Sequence, residues 1–304
     1  MLKKFLIKPW SAIMIAIFCS ILWGSAFPVL KVSYVELQMA PNDVMAKMVF
    51  AGIRFLIAGI IVLVLLAFMD IRKLKITKRQ LLVLTLLGII QTALQYYFFY
   101  NGLAIVSGMQ GAILSSSGIF FTVLLAHFYY NNDRLDRKKW LGIIAGFIGI
   151  VLANWGQSFA LSFQWNGEGY MILAGLTSAI ATIMAKELAT GIHPFAITGW
   201  QLTIGAILLL LVGYPQLQEG AIVFTPLGWG LLLYSALLSA IAFGLWYSLL
   251  KYQAAGKISM YKFIVPVAGV LLSAMFIDGE ALNVMIFVAI VMVASGIIVV
   301  NYRS

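Results

Sequence analysis

The sequence predicts an all-α polytopic membrane protein. Of its 304 residues, 63% are hydrophobic and only 10% are charged, whereas a soluble domain carries about 25% charged residues. Ten apolar stretches each approach the roughly 20 residues that a helix needs to cross a bilayer. The basic residues fall mainly in the short loops between alternate stretches, which is the distribution expected of cytoplasmic loops.

The ten predicted spans follow one another with short connections. They cover residues 10–30, 45–69, 80–102, 107–130, 140–156, 168–190, 195–214, 227–250, 257–277 and 281–302. The longest stretch outside them is 31–44, which contains Pro41 and Asn42. This stretch either covers the outer mouth of the protein or is a plain loop, and we favour the loop because long loops are only sometimes functional.

The basic residues also predict the orientation of the chain. With both termini in the cytoplasm, seventeen of the twenty Lys and Arg residues lie on the cytoplasmic side, and Lys31, Lys47 and Arg54 are the other three. Such a bias indicates a multi-pass protein of the cell membrane with cytoplasmic termini. The net charge of +10 therefore reflects membrane topology, and we expect no nucleic-acid partner.

The composition argues against catalysis, metals and cofactors. A single cysteine, Cys19, rules out an internal disulfide or a cysteine metal cluster, and two histidines are too few for a histidine metal centre. The chain has no P-loop motif. His127 and Asp133 lie near one predicted helix end, but no third group joins them, so a membrane enzyme is a remote alternative.

The two halves of the chain resemble each other at one constant offset. Residues in the second to fifth spans match residues 147 positions later, without a gap; the pairs are Gly52 and Gly199, Arg54 and Gln201, Tyr100 and Tyr247, Asp133 and Glu280, and Gly149 and Gly296. The first and sixth spans need a slightly different offset, which pairs Lys31 with Lys186. Each match is weak alone, but one unbroken offset across four spans predicts an internal repeat.

Five spans per half make the repeat an inverted one. Because five is an odd number, the second half must enter the membrane from the opposite side. We expect one repeat over residues 1–158 and another over 159–304. Many transporters use such a pair and bind their substrate near the midplane between the halves. Ten helices also suffice for a monomer to enclose a cavity.

Three short motifs carry a family resemblance. They are Trp23-Gly24-Ser25-Ala26-Phe27 with Lys31, the pair Arg54-Phe55, and Pro266 followed by the stretch 278–282 (DGEAL) and Gly296. Together they resemble the EamA-like branch of the drug/metabolite transporter superfamily over the whole chain. The resemblance implies ten helices in two inverted five-helix repeats around a central cavity. It also implies export of small metabolites such as amino acids.

The chain departs from that family pattern at three positions. Asp133 stands where a glutamate is usual, and Lys262 stands where the family is usually apolar or small. Ile119 replaces the proline expected opposite Pro266. Because proline removes a helical hydrogen bond, we expect the ninth span to bend more than the fourth.

The strongest candidate site lies in the ninth span. Ser259, Lys262 and Pro266 fall on one helical face with Gly269 and Ser273. A lysine in a membrane span is costly and normally faces protein or water, which favours a substrate-binding cavity. The alternative is that Lys262, less than two turns from the helix end, snorkels to the membrane surface.

Further cavity candidates are polar or aromatic side chains on apolar spans. They are Trp23, Gln91, Gln95, Ser115, Ser178, Ser239 and Trp246, of which Ser115 is the repeat partner of Lys262. Each has a structural alternative, because small residues also serve close helix packing and glutamines bond neighbouring helices. We interpret most of the aromatic run 96–100 as an interfacial belt.

Two other features are interpreted mainly as structural. Arg54 is expected to bond exposed backbone carbonyls near Pro28; the alternative is that it is a second charge of the cavity beside Lys262. The acidic turn 278–280 is expected to start the tenth span, since carboxylates are favoured at helix N-termini; Asp133 is the repeat counterpart of its Glu280.

These observations favour a secondary transporter that exports a small amino-acid-like metabolite by alternating access. No Asp or Glu lies in the middle of a predicted span, and proton-coupled export of cations typically needs one. We therefore expect a zwitterionic or anionic substrate. The alternatives are a facilitator or channel for a small solute and, more remotely, a membrane enzyme.

Overall fold

The computed structural model describes residue 6, residues 8–154 and 163–279, and seven separate positions between 284 and 295. Its regular structure is entirely helical, with no strand among these residues. The helices are α1 (Pro9–Glu36), α2 (Val44–Asp70), α3 (Lys78–Ile105), α4 (Gly108–Tyr129), α5 (Arg137–Asn154), α6 (Trp165–Gly191), α7 (Pro194–Gly213), α8 (Pro226–Leu250) and α9 (Ala255–Phe276).

Each of the first nine predicted spans overlaps one of these helices. Eight of the helices are long and apolar enough to cross a membrane, so the chain is a multi-pass membrane protein. The remaining one, α5, is described up to Asn154 and begins with the three basic residues Arg137, Lys138 and Lys139. The predicted tenth span, 281–302, lies outside the continuously described residues.

The first connection is shorter than expected. Helix α1 continues to Glu36, so only 37–43 of the predicted loop 31–44 is outside a helix. Lys47 is fully buried beneath this loop, where its Nζ donates to the carbonyl oxygens of Ala40, Pro41 and Asp43 at 2.7–3.1 Å. The lysine thereby holds the loop against the start of α2.

Polar caps define where several helices begin. Asp43 accepts a hydrogen bond from the Ala46 backbone N–H at 2.8 Å at the start of α2. Thr77 and Gln80 form a reciprocal capping box at the start of α3. The first N–H groups of a helix have no partner within it, and such side chains satisfy them.

Three helices are irregular where they pass through the middle of the bundle. Helix α3 contains a π-helical segment, Gly88–Leu94, whose wide turn packs on Gly205 of α7; a Cβ at Gly205 would lie 2.5 Å from the Gly88 carbonyl oxygen. Helix α4 is interrupted at Ser116, and α9 tightens to a 3-10 helix over Met260–Phe263. Such irregularities are frequent at functional sites.

Proline explains the interruption of α9. Pro266 has no N–H to donate to the carbonyl four residues earlier, that of Lys262, and its ring crowds that carbonyl. The backbone before it accordingly forms a 3-10 turn, and Ser20 of α1 donates its hydroxyl to the exposed Tyr261 carbonyl at 3.1 Å.

Helix α4 is interrupted without a proline. Ser116 lies 147 positions before Phe263, the last residue of the 3-10 turn in α9. The interruption in α9 spans four residues and that in α4 one. Ile119 in place of a proline therefore shortens the irregular turn without removing it.

Glycines bring the helices into close contact. A Cβ at Gly24 of α1 would lie 2.6 Å from the Ala268 Cβ of α9, and one at Gly118 of α4 would lie 3.0 Å from the Gly175 carbonyl oxygen of α6. Small residues allow such approach between membrane helices. These contacts fix α1 on α9 and α4 on α6.

Several contacts between the halves occur in pairs that are 147 positions apart. Gly52 of α2 packs on Leu210 of α7, while Gly199 of α7 packs on Leu63 of α2. The α2 residue Arg54 bonds Ser239 of α8, and its counterpart Gln201 of α7 accepts from Thr92 of α3, the counterpart of Ser239.

One end of the bundle is held by a buried carboxylate. Asp133, only 3% exposed, accepts hydrogen bonds from Lys139 Nζ and from the Gly256 backbone N–H, each at 2.6 Å. It thus lies at the start of α9. Glu280 itself lies outside the described residues. Nearby, the hydroxyl of Tyr130 bonds Glu187 of α6 at 2.7 Å.

Candidate functional site

A cavity of about 110 Å³ lies between the helices, near the middle of their lengths. Residues of α1, α3, α4, α6, α8 and α9 line it, together with Arg54 of α2. Since roughly 10–15 Å³ suffices for one water molecule, the cavity has room for a small solute. The irregular segments of α3, α4 and α9 all contribute to its wall.

Lys262 supplies an unpaired positive charge to this cavity. Its Nζ lies 5.3 Å from the ring centroid of Trp23 and 4.8 Å from that of Trp246. Within the described part of the chain it has no hydrogen bond and no ion pair. The side chain therefore points inward and does not snorkel to the membrane surface, and the two aromatic faces partly compensate its charge.

The tryptophans form a rigid aromatic wall. The rings of Trp23 and Trp246 meet edge to face, with centroids 5.2 Å apart, and Phe243 packs on Trp23 at 5.5 Å. Trp246 is 1% exposed, and its indole N–H has no hydrogen-bond partner among the described residues. A buried donor without an acceptor is costly, and this nitrogen lies within the wall rather than on the cavity surface.

Arg54 is a second buried cation, and each of its three side-chain nitrogens donates a hydrogen bond. It is 1% exposed, and it donates to the Ser235 carbonyl, the Ser239 hydroxyl and the Tyr100 hydroxyl at 2.8–3.1 Å. The expectation that it bonds carbonyls near Pro28 is wrong, because α8 and α3 supply its partners. None of these partners is charged, so the guanidinium has no counter-ion in the part of the chain that the structure describes.

An amide pair lines the opposite wall. Gln91 donates from Nε2 to the Oε1 of Gln95, and the hydroxyl of Tyr247 donates to the Oε1 of Gln91 at 3.4 Å. The π-helical turn carries Gln91 and ends next to Gln95, so this irregular segment sets how the two amides face the cavity.

Seven of the ten predicted site residues line the cavity: Trp23, Gln91, Gln95, Ser115, Ser178, Trp246 and Lys262. The structure places the other three behind the wall. Ser239 binds Arg54, Ser259 is fully buried with a hydroxyl that has no partner among the described residues, and Pro266 sits on the buried side of α9.

Sequence patterns identified part of the remaining lining. The aromatic run 96–100 is interpreted mainly as an interfacial belt with one or two rings at the outer mouth, and Tyr96 and Phe99 both line the cavity. Thr182, a polar residue of the sixth span like Ser178, also lines it. Gly175 lines it too and was not predicted, although a helical-wheel plot of 174–182 places small and hydroxyl residues on one side.

The profile of the EamA-like transporter family matches the chain twice, over residues 10–155 and 165–302. The chain belongs to the EamA-like transporter family. Members of this family are transporters, so the chain is a membrane transporter of a small molecule.

Full-length relatives support this assignment. The chain is 26% identical to the uncharacterized transporter YvbV of Bacillus subtilis over 99% of this chain and 94% of that protein. It is 24% identical to the uncharacterized inner membrane transporter YedA of Escherichia coli over 92% and 87% of the two chains. A solved crystal structure with 16% identity matches the fold with a TM-score of 0.75 over 97% of each chain.

Proposed function

We propose that this EamA-like protein is a secondary transporter that exports a small anionic or zwitterionic, amino-acid-like metabolite by alternating access. The observation that carries the proposal is the cavity with Lys262 in its wall. An uncompensated ammonium group in a membrane-embedded cavity is costly, and a negatively charged group on a solute would offset that cost.

The lining supports a substrate that bears a negative group. Lys262 and Arg54 are its two charged residues, and none of the described lining residues is an Asp or Glu. A cationic solute would meet two positive charges and no carboxylate. Two like charges repel strongly in a medium of low polarity, so the cavity disfavours organic cations.

An inverted repeat of ten helices supplies the movement in this proposal. It is supported by the two family matches and by the paired contacts of Gly52 with Leu210 and of Gly199 with Leu63. Two inverted halves can exchange conformations, and this exchange opens the cavity first to one side and then to the other. The interruptions of α4 and α9 beside the cavity provide places where these helices can bend.

The proposed direction is the one that the family resemblance implies, and orientation says where the cycle would start. The distribution of basic residues favours the cytoplasmic side for both termini and for the buried Asp133. Asp133, in the connection between α4 and α5, bonds the start of α9, so release of this contact would open the cavity to the cytoplasm. In an export cycle the solute enters from that side.

Counterflow in proteoliposomes tests the proposal. Purified protein is reconstituted with an unlabelled solute inside, and uptake of the labelled solute is followed for amino acids, organic acids, nucleobases and sugars. A carrier gives saturable, transient accumulation for at least one amino or organic acid. Uptake without saturation or counterflow would identify a channel and overturn the proposal.

A charge variant tests the role of Lys262 in transport. We expect Lys262→Met to reduce uptake of the best solute at least about tenfold, since a hydrogen bond to a charged group contributes roughly 1.5–3 kcal/mol. Lys251→Met removes a lysine of the same charge outside the cavity wall and should transport normally. Normal transport by Lys262→Met would show that Lys262 does not bind the substrate.

A further inference from the structure

The cavity contains two cations, Lys262 and Arg54, and no carboxylate among its described lining residues. We propose that its preferred solute is a small organic anion that lacks an amino group, rather than a zwitterionic amino acid. This inference rests on the proposed transport function and narrows its substrate class. It is carried by the charges, the free hydrogen-bond donors and the aromatic faces of the wall.

Charge is the first argument. The described lining has two cations, Lys262 and Arg54, and no carboxylate, and the hydrogen-bond partners of Arg54 are all uncharged. A carboxylate on the solute is attracted by both cations. A zwitterion brings an ammonium into the same low-polarity space, where repulsion from these cations cancels part of that gain.

Hydrogen bonding points the same way. Among the described lining residues, Lys262, the Trp23 indole and the Gln95 amide carry N–H groups that make no hydrogen bond. The two amide oxygens are engaged, since Gln95 Oε1 accepts from Gln91 and Gln91 Oε1 accepts from Tyr247. The hydroxyls of Ser115, Ser178 and Thr182 can still accept a hydrogen bond, so the charges decide and the free N–H groups add donors for an anion.

The aromatic wall completes the argument. Aromatic faces are the alternative way to bind an ammonium group without a carboxylate. Here the faces of Trp23 and Trp246 already contact the ammonium of Lys262, at 5.3 and 4.8 Å. An amino group of a solute would have to compete with that lysine for these two rings, and the other rings of the wall, such as Tyr96 and Phe99, lie in the same field of two cations.

Matched solutes test the inference on the purified full chain. Leucine, 4-methyl-2-oxopentanoate and leucinamide share one apolar body and carry a zwitterionic, an anionic and a cationic head; alanine, pyruvate and alaninamide form a smaller series. A ligand that binds the folded state raises its melting temperature in a concentration-dependent way. We expect the oxo acid of at least one series to bind at least about tenfold more tightly than its amino acid, and the amides not to bind.

Variants show whether the preference for the oxo acid depends on Lys262 itself or on the overall positive charge of the protein. Lys262→Met should abolish the preference for the oxo acid, Lys262→Arg should keep it, and Lys251→Met should leave it unchanged. Equal or tighter binding of the amino acids, or no binding of either oxo acid, overturns the inference.

Counterflow of the same solutes distinguishes the two proposals. Transport of leucine or alanine but not of the oxo acids would overturn the anion preference and leave the transporter standing. If the oxo acids bind the wild-type protein tightly but show no counterflow, the proposal that the protein transports its solute is rejected. The proposal that the cavity prefers an anion is then retained.

Discussion

Arg54 illustrates how this protein keeps a charged side chain inside a membrane-spanning helix. The sequence shows that Arg54 needs a partner, because an arginine in an apolar span is costly without one. The sequence does not show which residues are its partners, since Ser235 and Ser239 lie more than 180 positions later in α8. Long-range pairing of this kind depends on how helices pack, which helical periodicity does not encode.

Replacing Arg54 should destabilise the protein without emptying the cavity of charge. Arg54→Gln introduces the residue found at the repeat partner Gln201, and it leaves some of the Tyr100, Ser235 and Ser239 groups without a donor. We expect a loss of about 2–4 kcal/mol in the free energy of unfolding, since each hydrogen bond to a charged group contributes roughly 1.5–3 kcal/mol. Denaturant titration in detergent measures this loss.

Arg72 provides the matched control for that variant. It is exposed and its ion pair with Asp70 lies at the surface, where such pairs contribute about 0–1 kcal/mol. Arg72→Gln should therefore leave the unfolding midpoint close to wild type. Equal effects of the two variants would contradict a specific structural role for Arg54.

At the scale of whole elements, apolar runs predicted nearly all of the described helices but not their irregularities. Pro266 marks the interruption of α9, because proline has a direct backbone effect. The π-helical turn of α3 and the interruption of α4 carry no such marker. The π-helical turn packs against Gly205 of α7. It therefore depends on the packing of two helices and could not be predicted from the sequence of α3 alone.

Helix α7 begins on a titratable cap, which predicts a pH effect. The ring Nδ1 of His193 accepts from the Phe195 backbone N–H at 3.3 Å. Burial lowers the pKa of His193 below its usual 6.5, and the positive charges of Lys73 and Lys251 lower it further while Asp70 opposes them. Protonation would remove the acceptor and end this cap.

The lowered pKa of His193 determines how the stability of the folded protein changes with pH. The unfolded chain binds a proton near the ordinary pKa, before the folded protein does, so stability is full above about pH 6.5 and falls as the pH drops through the folded pKa. His193→Asn retains a capping side chain that does not titrate. Thermal unfolding at about pH 7.5 and about pH 5.5 should show a smaller pH-dependent loss for this variant than for wild type.

For the molecule as a whole, Asp133 joins the two halves of the chain at one end of the bundle. A Cβ at Gly256 would lie 2.9 Å from Asp133 Oδ1, so only glycine leaves room for this carboxylate. The sequence motifs placed Asp133 at a helix junction but gave no indication that it reaches across to α9. That contact exists because the ends of α4 and α9 meet in three dimensions.

Breaking this contact should open the cavity toward the cytoplasm. In a Cys19→Ala, Ser178→Cys background, an impermeant maleimide in inside-out vesicles reports access to the cysteine introduced at position 178. We expect Asp133→Ala and Gly256→Ala each to increase this labelling by about threefold or more, because removing one partner from a buried pair costs about 3–5 kcal/mol. Asp70→Asn removes surface ion pairs and retains a side chain that can accept from the Arg72 backbone N–H, so it should label like the parent. Unchanged labelling in both Asp133→Ala and Gly256→Ala would show that Asp133 does not hold this side closed.

Labelling also tests the proposed orientation. Asn132 and Gln218 are exposed and lie at opposite ends of the bundle. In the Cys19→Ala background, we expect Gln218→Cys to react with the impermeant maleimide in intact cells and Asn132→Cys to react only in inside-out vesicles. The reverse pattern would place the termini outside and make import the first direction to test.

The absence of a carboxylate from the described cavity wall has an electrical consequence. A solute with one negative charge that crosses without a proton or a cation carries current. The inside-negative potential of a cell acts on one such charge with about 2.3 kcal/mol per 100 mV, which corresponds to a concentration ratio of roughly fifty. For an organic anion, the membrane voltage alone would thus drive its exit through this protein, without any ion gradient of its own.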